Sequence, residues 1–276
     1  MLNFLLKKLK LKNDKTNKNH VSLAHMPDVV MEEILDRLDY RSVLRLRKVS
    51  RGLRYTIDQI KPDFQLRKFH LHIRKFHPHR IPFQIWIGES QKRDYIDYRL
   101  TELGCTVGCY KEHQYKERSF RNTDFMNICM RDFENFMKFQ RSILEVFYVN
   151  LYLDWSLTME KMDSDAILDR IRNSNKKLLK TEKLEMEVRH EAEAKRILSL
   201  VYPNFLKSIT IYGDRNSRSM SKLKIDELEV LEQWKNAENL KIWGFEWDEK
   251  GVESLVGQFS MVKLNTEVVI MNDLVI

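Results

Sequence analysis

Between residues 27 and 57 the apolar positions follow a helical period. Val30, Ile34 and Leu38 recur at four-residue steps with Met31 and Leu35 beside them, predicting a helix from Pro27 to about Leu38. Pro27 suits the first helical position, where its missing amide costs nothing, and Asp28 complements the positive helix end. A second helix is expected from about Arg41, carrying Val43, Leu44 and Leu46, and a third containing Leu53 and Ile57. Three helices this short are expected to leave apolar stripes uncovered, for a partner to bury. Pro62 makes Lys61 a boundary.

Beyond Pro62 the period changes to two. Phe69, Leu71 and Ile73 alternate with His70, His72 and Arg74, the pattern of a strand with one dry face. Strands are also expected over Ile81 to Ile87, Tyr95 to Arg99 and Thr106 to Tyr110, punctuated by Gly88, Gly104 and Gly108, which reads as an antiparallel meander.

The remainder alternates strands with helices. FYVNLYL (147–153) is the first strand, followed by LEMEV (184–188), SITIYG (208–213), LKIWGF (240–245) and EVVIM (267–271). Aligning Met186, Ile211, Ile242 and Ile270 gives spacings of 25, 31 and 28 residues. Helical patterns lie between them at Glu191 to Tyr202, Asp226 to Ala237 and Lys250 to Phe259. A strand and helix repeated at that interval reads as a leucine-rich-repeat-like solenoid, each unit burying its inward face on its neighbours. If Ile209 and Ile211 point inward, then Thr210 and Tyr212 point out, and equal parity turns out Lys241, Trp243 and Phe245. Large exposed aromatics of this kind anchor interfaces. Glu185 and Glu187 share that face, so it suits a basic or amphipathic peptide.

Composition narrows the functional classes. The 276 residues are 43% hydrophobic, enough for a core, and the net charge is +8. Six lysines against Asp14 place five of those charges within residues 1–20, so the rest carries too little excess to imply a nucleic-acid surface. Residues 1–20 read as a basic disordered tail, dispensable for folding. Cys105, Cys109 and Cys129 are too few for a disulfide framework and point to a reducing compartment. No apolar run of about 18 residues predicts a membrane span.

Chemistry is sparse. His70, His72, His77 and His79 offer two imidazole pairs, but no neighbouring cysteine or carboxylate completes a metal site, and strand alternation accounts for the first pair. Cys105, Cys109 and His113 are too few ligands. No phosphate-binding, nucleophile-elbow or zinc-protease motif occurs, so neither catalytic residues nor cofactors are expected. Arg41, Arg45, Arg47, Lys48, Arg51 and Arg54 read as a solvated helix face.

The helical run resembles an F-box, the module that docks on the Skp adaptor of cullin-based SCF ubiquitin ligases. Leu23, Met26-Pro27, the Val30/Ile34/Leu35/Leu38 helix, Asp39 and Val43 to Arg51 carry the likeness. Ser50 and Leu53 depart from it, standing where F-boxes often have Cys and Trp. YRSVLRLRKVSRGLRYTIDQIKPDF, IDYRLTELGCTVG, LEVFYVNLYL, SLVYPNFLKSITIYG and WKNAENLKIWGF resemble the nematode F-box A family, in which an FTH domain follows the F-box. The expected fold is therefore α/β: the tail (1–20), a three-helix F-box (21–62), a short β-rich linker region (63–125) and a leucine-rich-repeat-like FTH domain (126–276).

The resemblance implies a non-catalytic subunit that binds the Skp adaptor, and through it the cullin scaffold, in the cytoplasm or nucleus. Leu23, Met26, Pro27, Val30, Met31, Ile34, Leu35, Leu38, Val43, Leu46 and Val49 are the expected adaptor-binding residues. Tyr212, Lys241, Trp243 and Phe245 are the expected target-binding residues. No nucleic acid and no membrane are expected as partners. The alternative is an adaptor-bound scaffold that holds an RNA-binding or pathogen protein without degrading it.

Overall fold

The computed structural model describes residue 23 and residues 26–73, 82–87, 94–111, 114–150, 164–174, 178–213, 221–246, 255, 257–264 and 267–270. The basic tail, His77, His79, His113, residues 151–153 of the first expected repeat strand and the start of the expected helix from Lys250 lie outside them. The chain divides into two units, one reaching to Pro62 and one from Asp63 onward. Among the described residues no helix is long and apolar enough to cross a membrane.

Among its described residues the first unit holds three helices, α1 (Asp28–Asp36), α2 (Tyr40–Val49) and α3 (Arg51–Ile60). Side chains placed for the purpose set their limits. Asp39 Oδ1 accepts from the Ser42 amide at 2.7 Å, and Ser50 Oγ accepts from the Leu53 amide at 3.1 Å, so each caps an otherwise unpaired helix start. Lys61 ends α3 in the left-handed region, at φ 52°, while its amide still donates to Ile57 O. Arg47 is no solvated cation. It is 17% exposed and bridges from α2 to Asp58 of α3 at 2.9 Å, which corrects the reading of the arginine run as a wholly wet face.

Among the described residues the second unit is built on an eleven-stranded mixed sheet. Its strands are β1 (Lys68–Ile73), β2 (Pro82–Ile87), β3 (Asp94–Thr101), β4 (Gly104–Lys111), β5 (Gln114–Arg121), β6 (Leu144–Asn150), β7 (Thr181–Glu187), β8 (Ser208–Tyr212), β10 (Asn239–Trp243), β12 (Met261–Leu264) and β13 (Glu267–Ile270). Two short strands, β9 (Ser221–Lys222) and β11 (Phe245–Glu246), form a separate pair. β1 is the pivot. It runs antiparallel to β2, opening the meander β2 to β5, and parallel to β6, opening the parallel run β6, β7, β8, β10, β12.

Among the described residues this unit holds α-helices α4 (Phe125–Phe139), α5 (Ser164–Ser174), α6 (Glu191–Leu198), α7 (Asp226–Glu229) and α8 (Glu232–Lys235), with a 3-10 turn at Pro203–Phe205. The Asp226 to Ala237 pattern is thus two short helices. In the described part of the last expected helix, Leu255, Gly257 and Gln258 form turns instead and Phe259 is irregular.

Register explains the core. Phe69, Phe147, Leu184, Ile209, Leu240 and Val262 lie side by side in one buried row, and Leu71, Val149, Met186, Ile211, Ile242 and Leu264 in the next. Met186, Ile211 and Ile242 therefore share a row as their spacing suggests, but the fourth member is Leu264. Ile270 belongs to β13, which turns back antiparallel to β12. α4 supplies aromatic packing: Phe69 meets Phe133 edge-on at 5.8 Å, and Phe64 stacks on Phe139 at 4.8 Å. The start of this unit is tied down by Gln140, which accepts from the Leu66 amide at 3.0 Å and donates to Leu66 O at 3.1 Å.

Candidate functional site

The apolar positions of the three-helix unit split into two sets. Met31, Leu35, Leu38, Val43, Leu53 and Ile57 are buried. The expectation that no internal partner covers the stripe is thereby corrected for Met31, Leu35, Leu38 and Val43. Met31 and Leu35 face inward one helical turn apart, the same spacing that places Val30 and Ile34 on the adjoining stripe. That second stripe is open. Pro27 is exposed, Val30 is 42% exposed and Ile34 is half-buried. Leu23, Met26 and Leu46 are half-buried, and Val49 is 69% exposed. Sequence reasoning missed Val29 and Tyr55, which are 76% and 69% exposed and which no period singles out.

Electrostatics frame these helices. Partial burial pushes the Asp39 carboxyl upward, but its bonds from the Ser42 amide and hydroxyl, with Arg41 and Arg45 nearby, hold it below the ordinary aspartate value. The cap therefore stays charged at neutral pH and keeps the start of α2 fixed.

The second surface is the sheet face opposite the buried rows. Register sets His70, Tyr148, Glu185, Thr210, Lys241 and Lys263 in one row, and His72, Asn150, Glu187, Tyr212 and Trp243 in the next. Tyr212, Lys241 and Trp243 thus lie on one face and are half-buried. Phe245 does not join them; it is fully buried. Gly244, at φ +79°, breaks the strand alternation that parity assumes, and the Phe245 ring packs beside Gly213. Thr210 is also buried, at 1% exposure, although parity turns it toward this face.

This face carries charge of both signs. Glu187 accepts from Tyr148 Oη at 3.1 Å and from Asn150 Nδ2 at 2.5 Å, so its carboxylate is held in place. Lys183 pairs with Glu185 at 2.5 Å. Further along the sheet, Lys263 Nζ of β12 stands 5.1 Å from the ring centroid of Trp243 on β10, a cation over a π face. His72 and His70 stack on Tyr148 at 4.7 and 5.5 Å, and burial lowers the His70 pKa although Glu185 opposes it. The two histidines form part of an aromatic cluster on this side of the sheet. No group of three or more potential metal ligands occurs among the described residues. Cys105 is buried and Cys109 exposed, and desolvation pushes the buried Cys105 and Cys129 thiols up, away from thiolate chemistry.

Comparison with known proteins finds two family matches along the chain. The F-box domain family matches residues 23–65, and the FTH domain family matches residues 164–275. F-box A protein 224 of Caenorhabditis elegans is 27% identical over 216 residues, covering 78% of this chain and 52% of the relative. The chain thus spans about half the length of that curated relative. No solved structure matches it. With an F-box match ahead of an FTH match and a nematode F-box A protein among its relatives, the chain is similar to the nematode F-box A family.

Proposed function

We propose that the chain is the substrate-recognition subunit of an SCF-type ubiquitin ligase, docking on the Skp adaptor through residues 21–62 and holding a target on its sheet unit. The observation that carries this reading is the open stripe of Pro27, Val30 and Ile34, which runs beside the buried Met31 and Leu35. A helix that has covered one stripe and left an adjoining apolar one open is built for a groove in another protein. The cullin scaffold is reached through the adaptor, and the chain contributes proximity and orientation rather than bond chemistry. Such a complex works in the cytoplasm or nucleus.

The target surface is the face centred on Tyr212, Lys241 and Trp243, with Glu185 and Glu187 beside them. Its mixed charge suits an amphipathic segment with basic residues toward Glu187. Successive parallel strands keep Met186, Ile211 and Ile242 in register, which supports reading residues 126–276 as leucine-rich-repeat-like.

The test is capture of the purified Skp adaptor by the wild-type chain and by Ile34→Asp, with circular dichroism to show that the variant remains folded. Loss of capture is expected, because a carboxylate without a partner enters the contact. Undiminished capture by the folded variant overturns the reading. Affinity capture from cells with and without proteasome inhibition then separates the two roles. A target that accumulates only under inhibition marks a degradation receptor; a partner equally abundant in both marks a scaffold.

A further inference from the structure

Strand β5 is the outermost strand of the eleven-stranded sheet. It pairs with β4 along its whole length and has no strand on its other side among the described residues. At about 3.4 Å per residue its free edge runs for about 27 Å. Its side chains are exposed throughout except for the half-buried Phe120. An unpaired row of amides and carbonyls is a template for an added strand.

The two faces of β5 differ. On one, Tyr115, Glu117 and Ser119 bond to side chains of β3 and β4, and Arg121 stands exposed at the strand's end. Arg99 donates to Glu117 at 2.5 Å and to the Tyr115 hydroxyl, that hydroxyl lies 3.3 Å from Asp97 Oδ2, and Ser119 Oγ lies 3.1 Å from Thr106 Oγ1. On the other stand Lys116, Arg118 and Phe120, with the Arg118 guanidinium 5.2 Å from the Phe120 centroid. Neither Lys116 nor Arg118 meets a carboxylate among the described residues. Two unneutralised cations at alternate positions, followed by an aromatic ring, therefore line one face of a free edge.

We propose that β5 takes up an extended segment of a partner protein that carries carboxylates at alternate positions and an apolar side chain two residues beyond them. Directly opposite residues in a strand pair share a face and interact, so the two acids fall across from Lys116 and Arg118 and the apolar group across from Phe120. A second copy of this chain is a poor occupant. Antiparallel pairing about Glu117 sets Lys116 against Arg118, and parallel in-register pairing sets each cation against itself; like charges directly opposite destabilise a pair. The charges that guard this edge against its own kind thus select an acidic strand. The edge uses none of the residues assigned to adaptor docking or to the face around Trp243, so the proposal stands or falls independently of both.

The test uses the full chain and fluorescein-labelled heptapeptides read by anisotropy. One peptide is threonine throughout except glutamate at its second and fourth positions and valine at its sixth; another has the reversed order. One of the two orders is expected to bind. Lys116→Glu with Arg118→Glu should weaken that binding by about tenfold or more and create affinity for the peptide with lysine in place of glutamate. Should the doubly reversed chain not fold, Lys116→Gln with Arg118→Gln serves with the same expected direction. Methylating alternate peptide nitrogens, in each of the two phases, should abolish binding in one phase only, because only one set of amides faces the strand. Saturation by neither order, equal affinity for both methylated peptides, or binding indifferent to charge reversal overturns the proposal. So does sedimentation of the free chain as a dimer that the charge-reversed variant abolishes, which assigns the edge to a second copy. Adaptor capture should be the same for all these variants.

Discussion

Helix α1 makes the sharpest prediction, because adjoining side chains are assigned opposite duties. Leu35 is fully buried, so Leu35→Ala removes packed methyl groups and leaves a cavity, at a cost of about 2–5 kcal/mol. A unit of about forty residues has little more than that to lose. Val30 is 42% exposed and sits in the first turn, where an acidic side chain is favoured by the helix dipole. Val30→Asp should therefore change stability by less than about 0.5 kcal/mol. In the adaptor complex the same carboxylate is buried without a partner, and affinity should fall at least about a hundredfold, or about 2.7 kcal/mol. Circular dichroism at 222 nm reports the helices, and all five tryptophans lie beyond Pro62, so their fluorescence reports the sheet unit alone. Leu35→Ala is expected to lose helical signal at lower urea with tryptophan emission unchanged. Val30→Asp should unfold like the wild type and fail to bind the adaptor in calorimetry. Normal binding by Val30→Asp, or normal stability of Leu35→Ala, refutes the division into two stripes.

Phe245→Ala should destabilise the sheet unit by about 3–5 kcal/mol in urea unfolding, whereas Trp243→Ala should cost less than half as much and weaken target capture, since only the first ring is fully buried. Gly213→Ala would bring its Cβ to 2.4 Å from Gly244 O, a backbone atom that cannot swing aside, so a loss of more than about 1 kcal/mol is expected in the same assay. Burial raises the Glu193 pKa, but the bonds from Arg189 prevail and hold it below the ordinary glutamate value. A depressed folded-state pKa contributes stability that is present above the unfolded value and is lost as pH falls through the folded one. Urea midpoints measured from pH 6 down to pH 3 should therefore fall more steeply for wild type than for Glu193→Gln, and parallel curves would contradict this.

The sequence carried the helical stripe, the dry face of β1 and the in-register Met186, Ile211 and Ile242, because each is a local period. What it could not carry was tertiary. A broad apolar stripe looks the same whether Met31 or Val30 is covered, and only the packing of α1 decides. Parity misplaces Phe245 because it counts residues and is blind to the positive φ of Gly244. β5 escaped because Gln114 to Arg121 has no dry face, so alternation is absent where pairing with β4 alone makes the strand. By spacing alone Ile270 is indistinguishable from Leu264, since both are apolar and lie on short strands, and only the direction of β13 separates them. Arg47 looked like one cation in a basic run; its pairing with Asp58 depends on how α2 lies against α3.

The pivot at β1 has a kinetic consequence. On its meander side, neighbouring strands are joined by short connections, so β3, β4 and β5 close loops of a few residues and gain their contacts early. On its other side the first parallel partner of Lys68 is Val146, and no contact there forms until the intervening chain has been gathered. The meander is thus positioned to fold first and offer β1 as a template, on which β6, β7, β8, β10 and β12 add in sequence order. Substitutions at the β3–β4 hairpin should then slow refolding, while those at β10 and β12 should chiefly speed unfolding.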